Sequence, residues 1–230
     1  MHLEILVEGQ SERTALEPIL SKILGTYNSP HTWRIHKHQG IGKLPVDIEA
    51  TPNRADRSLL HNLPSRLRAY GKSLNDEQVV LVLLDLDNHP SKSDFENELK
   101  AVLAKCDPTL PCTFTFAVEE LEAWYLGDQA ALTKAYPNAD LNILKQYVQD
   151  SQCGTWEVLA DIIYPGGSKE LKKLGVQKLE QKRIWARDIA PNMDVATNQS
   201  PSFKAFRTAV RRISKSKKAT VKAISKAKRK

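Results

Sequence analysis

The sequence predicts an α/β fold, a mostly parallel sheet flanked by helices, followed by a C-terminal all-helical extension. Three observations predict it. Short apolar runs at residues 3–7 (LEILV), 79–84 (VVLVLL) and 113–118 (TFTFAV) have the length and composition of buried strands. Segments with helically spaced apolar residues lie between them, and strands alternating with helices favour a parallel sheet covered on both faces. After Gly127 the periodic segments are all helix-like and no strand pattern returns.

The first run ends in the turn signal Glu8-Gly9. The pairs Ala15/Leu16, Ile19/Leu20 and Ile23/Leu24, four residues apart, make one face of a helix. Ser11 is its expected N-cap, Glu12 sits in its first turn, and Pro18 should kink it or mark its true start. Residues 32–38 read as a second strand, 40–45 as a loop and 54–70 as a helix broken near Pro64. Residues 79–84 are the clearest buried strand and run into Asp85-Leu86-Asp87-Asn88. Ser93 and Glu96 form a capping box for a helix over 93–105, with Phe95, Leu99, Val102 and Leu103 as its apolar face. The third run leads into Glu119-Glu120-Leu121-Glu122-Ala123-Trp124. Further helices are expected over 130–135, 141–149, 156–163, 168–174, 179–189 and 203–213, with 221–230 frayed. The expected domains are an α/β unit over 1–127, a helical extension over 128–213 and a basic tail over 214–230.

Composition narrows the function classes. Of 230 residues, 41% are hydrophobic, enough for an ordinary core. The longest apolar run, 79–84, is too short to cross a bilayer, so no membrane partner is expected. Met1-His2-Leu3-Glu4 shows no basic segment followed by an apolar stretch, and the expected location is the cytoplasm. Cys106, Cys112 and Cys153 are odd in number and lack CxxC spacing, which points to reduced thiols. The chain has 34 Lys and Arg, 12 of them from Lys204 onward, and no acid follows Asp194; the first 194 residues therefore hold 22 basic and 27 acidic residues, a net of −5. A basic tail of this kind neutralises phosphates, which nominates Arg207, Arg211, Arg212 and Lys215 as nucleic-acid contacts. The alternative is a solubilising tail.

Glu8, Asp85 and Asp87 fall just past the C-terminal ends of predicted strands, the sheet edge where such folds place ligands. In an extended segment residues i and i+2 point the same way, so Asp85 and Asp87 can converge. Crowded carboxylates repel one another, and a hard divalent cation relieves the repulsion; Mg²⁺, with Mn²⁺ as the alternative, suits an all-oxygen site facing phosphate. Single strand-end acids also serve as turn formers and caps. The combination Val7-Glu8-Gly9-Gln10-Ser11-Glu12 with Leu84-Asp85-Leu86-Asp87 resembles the Toprim fold of topoisomerases, DnaG-type primases and overcoming-lysogenization-defect (OLD) nucleases. More narrowly, the chain resembles a bacterial Toprim-like family often encoded beside an ATPase in phage-defence loci. The motifs that carry this are Val7–Glu12, the loop over 40–44, Asp85-Leu86-Asp87, Glu120-Leu121-Glu122-Ala123-Trp124 and Ser200-Pro201-Ser202-Phe203-Lys204-Ala205-Phe206.

The resemblance implies a Mg²⁺-dependent nuclease acting on DNA or RNA, an anti-phage effector working with a separate ATPase. It implies Glu8, Asp85, Asp87 and Glu12 as catalytic residues and Glu8, Asp85, Asp87 and Glu122 as metal ligands. The alternative it leaves is a catalytically silent binding or regulatory subunit of an ATPase-containing complex. Glu12 is either a further ligand or a first-turn dipole partner. Lys43, in a Gly-flanked loop that is no Walker A, is a candidate phosphate contact. Trp124 reads as core packing before base stacking, and His31, His36 and His38 as a polar strand face before a zinc site. His89 reads as a turn residue before a general base, and Ser202 as the cap of a helix starting near Phe203.

Overall fold

The computed structural model describes residues 1–75, 77–87, 89, 91–106 and 110–227, with side chains described as far as Lys215. Strands β1 (His2–Val7), β2 (Thr32–Lys37), β3 (Gln78–Asp85) and β4 (Cys112–Ala117) form one sheet in the order β2-β1-β3-β4. All its pairings are parallel. Helices α1 (Gln10–Leu24), α2 (Leu59–Ser73) and α3 (Lys92–Ala104) lie between successive strands. The period-two alternation of strand side chains divides the core. Leu3, Ile5, Val7, Val79, Leu81 and Leu83 pack on the α1 side, whereas Leu6, Val80, Val82 and Leu84 pack with α2 and α3. With both faces covered, the central strand must be apolar at consecutive positions, which is why residues 79–84 carry no alternation.

After β4 come α4 (Glu122–Leu126), α5 (Gln129–Ala135), α6 (Leu141–Gln146), α7 (Thr155–Ile163), α8 (Gly167–Lys173), α9 (Lys178–Ile189) and α10 (Pro201–Ala227). Among the described residues no strand follows β4. Leu132, Leu159, Trp185, Phe203 and Phe206 share one buried cluster with β1 and α1, so these helices cover one face of the sheet. Trp124 is fully buried, its ring 5.3 Å from Phe203 and 4.9 Å from Phe206. It is a packing residue, as the sequence predicts. Cys106, Cys112 and Cys153 are unbridged. Among the described residues no helix is long and apolar enough to cross a membrane.

Several local expectations are corrected. Helix α1 starts at Gln10 behind Gly9, with no side-chain cap, so Ser11 is inside it. It continues through Pro18, and α2 continues through Pro64. Burial of Ala15, Leu16, Ile19 and Leu20, and of Leu59, Leu60, Leu63 and Leu67, outweighs the hydrogen bond each proline removes. Helix α2 itself begins at Leu59, not near residue 54. Ser91, not Ser93, caps α3, its Oγ accepting from the Asp94 N–H at 3.2 Å, while Glu96 pairs with Lys100 at 2.6 Å. Ser200 caps α10, accepting from Phe203 N–H at 3.2 Å with Pro201 as first helical residue. That frees Ser202 to accept from Trp124 Nε1 at 3.0 Å. Helix α10 also runs to Ala227, past the point where fraying is expected.

Candidate carboxylate site

Strands β1, β3 and β4 deliver their C-terminal ends to one edge of the sheet, and acids follow each of them. Glu8 leaves β1 and turns its side chain toward β3, where Oε1 accepts from the Asp85 N–H at 2.8 Å. Its own carbonyl accepts from Gly40 N–H at 3.0 Å, which holds the β1 end against the loop after β2. The Glu8 carboxylate thus meets the backbone of Asp85, 77 residues away in sequence. Asp85 continues the parity of Leu81 and Leu83 and so belongs to the α1 side of the sheet; it is 8% exposed, and its Oδ1 has no hydrogen-bond partner.

Beyond Asp85 the chain leaves the sheet. Leu86 N–H donates to Ala117 O at 3.0 Å and Asp87 N–H to Glu119 O at 2.8 Å. Asp87 (φ 40°) and Glu119 (φ 60°) both adopt left-handed backbone conformations, which cost a non-glycine residue about 1 kcal/mol or more. The extended convergence expected of Asp85 and Asp87 is therefore replaced by a turn that leaves Asp87 half-buried at the mouth of the site.

Glu12, in the first turn of α1, and Glu122, at the start of α4, are both buried, Glu122 to 2% exposure. Between the acids lies Lys182 of α9, its Nζ 3.0 Å from Glu120 Oε1 and 3.4 Å from Glu122 Oε1. Burial is the main cause of raised pKa throughout. It pushes Glu8 up to about 8 and Glu122 up to about 7, with repulsion from Glu12 and Asp87 adding at Glu8 and from Glu120 and Glu12 at Glu122. Burial likewise lifts Glu12, Asp85, Asp87 and Glu120. Lys182 opposes the rise at all six carboxylates. Burial works against the Lys182 charge, but Glu122, Glu120 and Asp85 outweigh it and hold the ammonium above the ordinary lysine range. Among the described residues no three His, Cys, Asp or Glu side chains converge as a formed metal cage.

The acids after β4 separate into two roles. Glu120 and Glu122 join the cluster. Glu119 turns away and accepts from the N–H groups of Cys153, Gly154 and Thr155 at 3.2, 2.8 and 2.9 Å, tying the start of α7 to the β4 end. A cavity of about 230 Å³, lined by Asp87, Glu119, Glu120, Gly154, Trp156 and Glu157, opens beside the cluster.

Residues 7–211, nine-tenths of this chain, match the family described as Domain of unknown function (DUF4276). The chain belongs to the DUF4276 family. All six carboxylates and Lys182 lie within the matched span, and the last basic stretch of α10 lies outside it. No curated protein and no solved structure matches the chain.

Among the described residues, the remaining predicted side chains of this DUF4276 chain make no hydrogen bond or ion pair to the six carboxylates. Lys43 is exposed on its loop. That loop is shaped by Gly42, whose φ of +67° and approach to Ser58 leave no room for a Cβ. Arg207 is occupied by the carbonyls of Val195 and Ala196. Arg211, Arg212 and Lys215 are exposed on α10. His36 pairs with Glu4, and His38 Nδ1 lies 2.9 Å from Val7 O. His89 closes a turn onto Leu86 O at 2.8 Å, its ring stacked on Phe95 with centroids 4.0 Å apart. Lys182 is the residue sequence reasoning missed. It is one of 34 basic residues and sits in no motif, so only the apolar period of its helix was visible.

Proposed function

We propose that this chain is a Toprim-type, Mg²⁺-dependent nuclease that hydrolyses phosphodiester bonds of nucleic acid, an anti-phage effector that works in the cytoplasm with a separate ATPase. The observation that carries the reading is the hydrogen bond from the Asp85 N–H to Glu8 Oε1 at 2.8 Å, which brings the Glu8 carboxylate to the end of β3 beside a buried Asp85 Oδ1 without a hydrogen-bond partner. The donor chemistry suits a hard cation: the acids offer only oxygen, and Asp85 Oδ1 and Glu120 Oε2 are buried acceptors without a hydrogen-bond partner. Glu8, Asp85 and Asp87 would hold Mg²⁺ or Mn²⁺, with Glu12 and Glu122 behind them, and the ion would supply Lewis-acid charge to a phosphodiester. Lys182 keeps Glu120 and Glu122 anchored beneath the site. The ATPase partner and the defence role rest on the family resemblance alone.

One observation favours a second reading. Lys182 already neutralises part of the cluster, which suits a catalytically silent binding or regulatory subunit of an ATPase-containing complex. A cleavage assay separates the two. The purified chain, incubated with plasmid, tRNA and nucleotides, is expected to cut a polymer in Mg²⁺ but not in EDTA. Asp85→Asn is expected to abolish the cutting. Intact polymers in Mg²⁺, both with and without the ATPase, would leave the second reading standing.

A further inference from the structure

The first 194 residues carry net negative charge, yet six of their cations line two adjoining pockets, the lobes of a cleft on the far side of β1 from β3. One lobe, about 620 Å³, is lined by Arg13, Arg34, Lys37 and Arg66 together with Tyr27 and Trp33. The other, about 340 Å³, is lined by Arg54 and Arg57 and shares Lys37 and Arg66 with the first. Among the described residues none of the six stands within ion-pair distance of an acid. Each lobe also holds one acid, Glu17 in the first and Asp56 in the second, so cations outnumber acids in both. Glu17 accepts from Trp33 Nε1 at 3.1 Å, and Asp56 accepts from Ser58 Oγ at 2.6 Å.

The end of the cleft at Lys37 lies beside the β1 end that carries Glu8. Lys37 pairs with Val7 in register, His38 N–H donates to Val7 O at 3.0 Å, and Arg13 directly follows Glu12. Within the cleft Tyr27 is 54% exposed and is braced edge-on by the buried Trp33, ring centroids 5.1 Å apart. A surplus of cations with one exposed, edge-braced aromatic ring among them matches the chemistry of a strand whose phosphates are neutralised while a base stacks. A duplex keeps its bases stacked inside and has no use for the ring.

From this we infer that the cleft along β2 binds single-stranded nucleic acid, the phosphates on Arg34, Lys37 and Arg66 and a base on Tyr27, and leads the strand toward Glu8. The inference names the substrate path for the nuclease reading and rests on it for its purpose, though the binding itself needs no metal. Protection of the β2 edge against pairing with other chains is the competing account of these charges.

The test is fluorescence anisotropy of the full chain with labelled single strands of about 20 nucleotides and the matching duplex, in EDTA at several salt concentrations. Arg34→Glu/Lys37→Glu is expected to weaken single-strand binding at least tenfold. It should also reduce the slope of log K against log salt by about 1.4, two phosphates at about 0.7 each. Tyr27→Ala is expected to weaken it about fivefold or more without changing the slope. Circular dichroism melts check that each variant folds, and the milder Arg34→Gln serves if the double reversal does not. Wild-type binding that the cleft variants leave unchanged, a preference for duplex, or no binding at all would overturn the inference. Cleavage without cleft binding would refute this path alone, and binding without Mg²⁺-dependent cleavage would refute the nuclease reading alone.

Discussion

Removing Lys182 exposes what the carboxylate cluster demands. Its side chain is 14% exposed and touches Glu120 and Glu122 at 3.0 and 3.4 Å. Lys182→Met keeps most of the volume and deletes the charge, leaving buried carboxylates uncompensated. Breaking a buried pair from one side costs about 3–5 kcal/mol when the acids are ionised. For a chain of this size that is roughly 10 °C in melting temperature. The loss must depend on pH. Glu8 and Glu122, with pKa values pushed up to about 8 and about 7, bind protons more tightly folded than unfolded. Their favourable contribution is complete below the unfolded value of about 4.3 and fades as pH rises through the folded values. Deleting Lys182 lifts these folded values further and extends the decline to higher pH. Urea denaturation followed by circular dichroism should show wild type and variant close together near pH 5 and about 3–5 kcal/mol apart near pH 8. Mg²⁺ added near pH 8 should recover part of the variant's loss, because it binds the ionised acids. A pH-independent gap, or one under about 0.5 kcal/mol near pH 8, would refute Lys182 as the counterion.

Three further outcomes follow from the geometry. Glu119→Gln weakens acceptance from three backbone N–H groups, so the amides of Cys153, Gly154 and Thr155 should exchange faster with deuterium and stability should fall by about 1–3 kcal/mol. Trp124→Ala empties a fully buried site between Phe203 and Phe206 and should cost about 3–5 kcal/mol in urea denaturation. Gly42→Ala places a Cβ 1.9 Å from Ser58 Oγ at a φ of +67°, and its melting temperature should drop by several degrees, equivalent to about 1–3 kcal/mol.

Helix ends were the least legible part of the fold. Ser91 and Ser93 are both acceptable caps by residue type, and which Oγ meets a free N–H is decided by where the helix axis packs on the sheet. Pro64 reads as a break, and Pro18 as a kink or a helix start, because the local penalty is visible and the apolar surface that offsets it is not. In the site, Glu122 was placed by its motif, whereas Glu120 and Lys182, 62 residues apart, share no pattern. The basic residues of the β2 cleft come from α1, β2, the loop after it and α2, so no run of charge announced them, unlike the tail.

By itself the sequence determined the order of strands and helices, the burial of β3 on both faces and the placing of Glu8, Asp85 and Asp87 at one sheet edge. These depend on near-neighbour periodicity and on where apolar runs stop, both written along the chain. Only the tertiary structure decided that Lys182 sits among the acids and that a cationic cleft adjoins them. Electrostatic partners are chosen by distance through space, and burial sets the strength of their interaction; neither leaves a periodic trace in the order of residues.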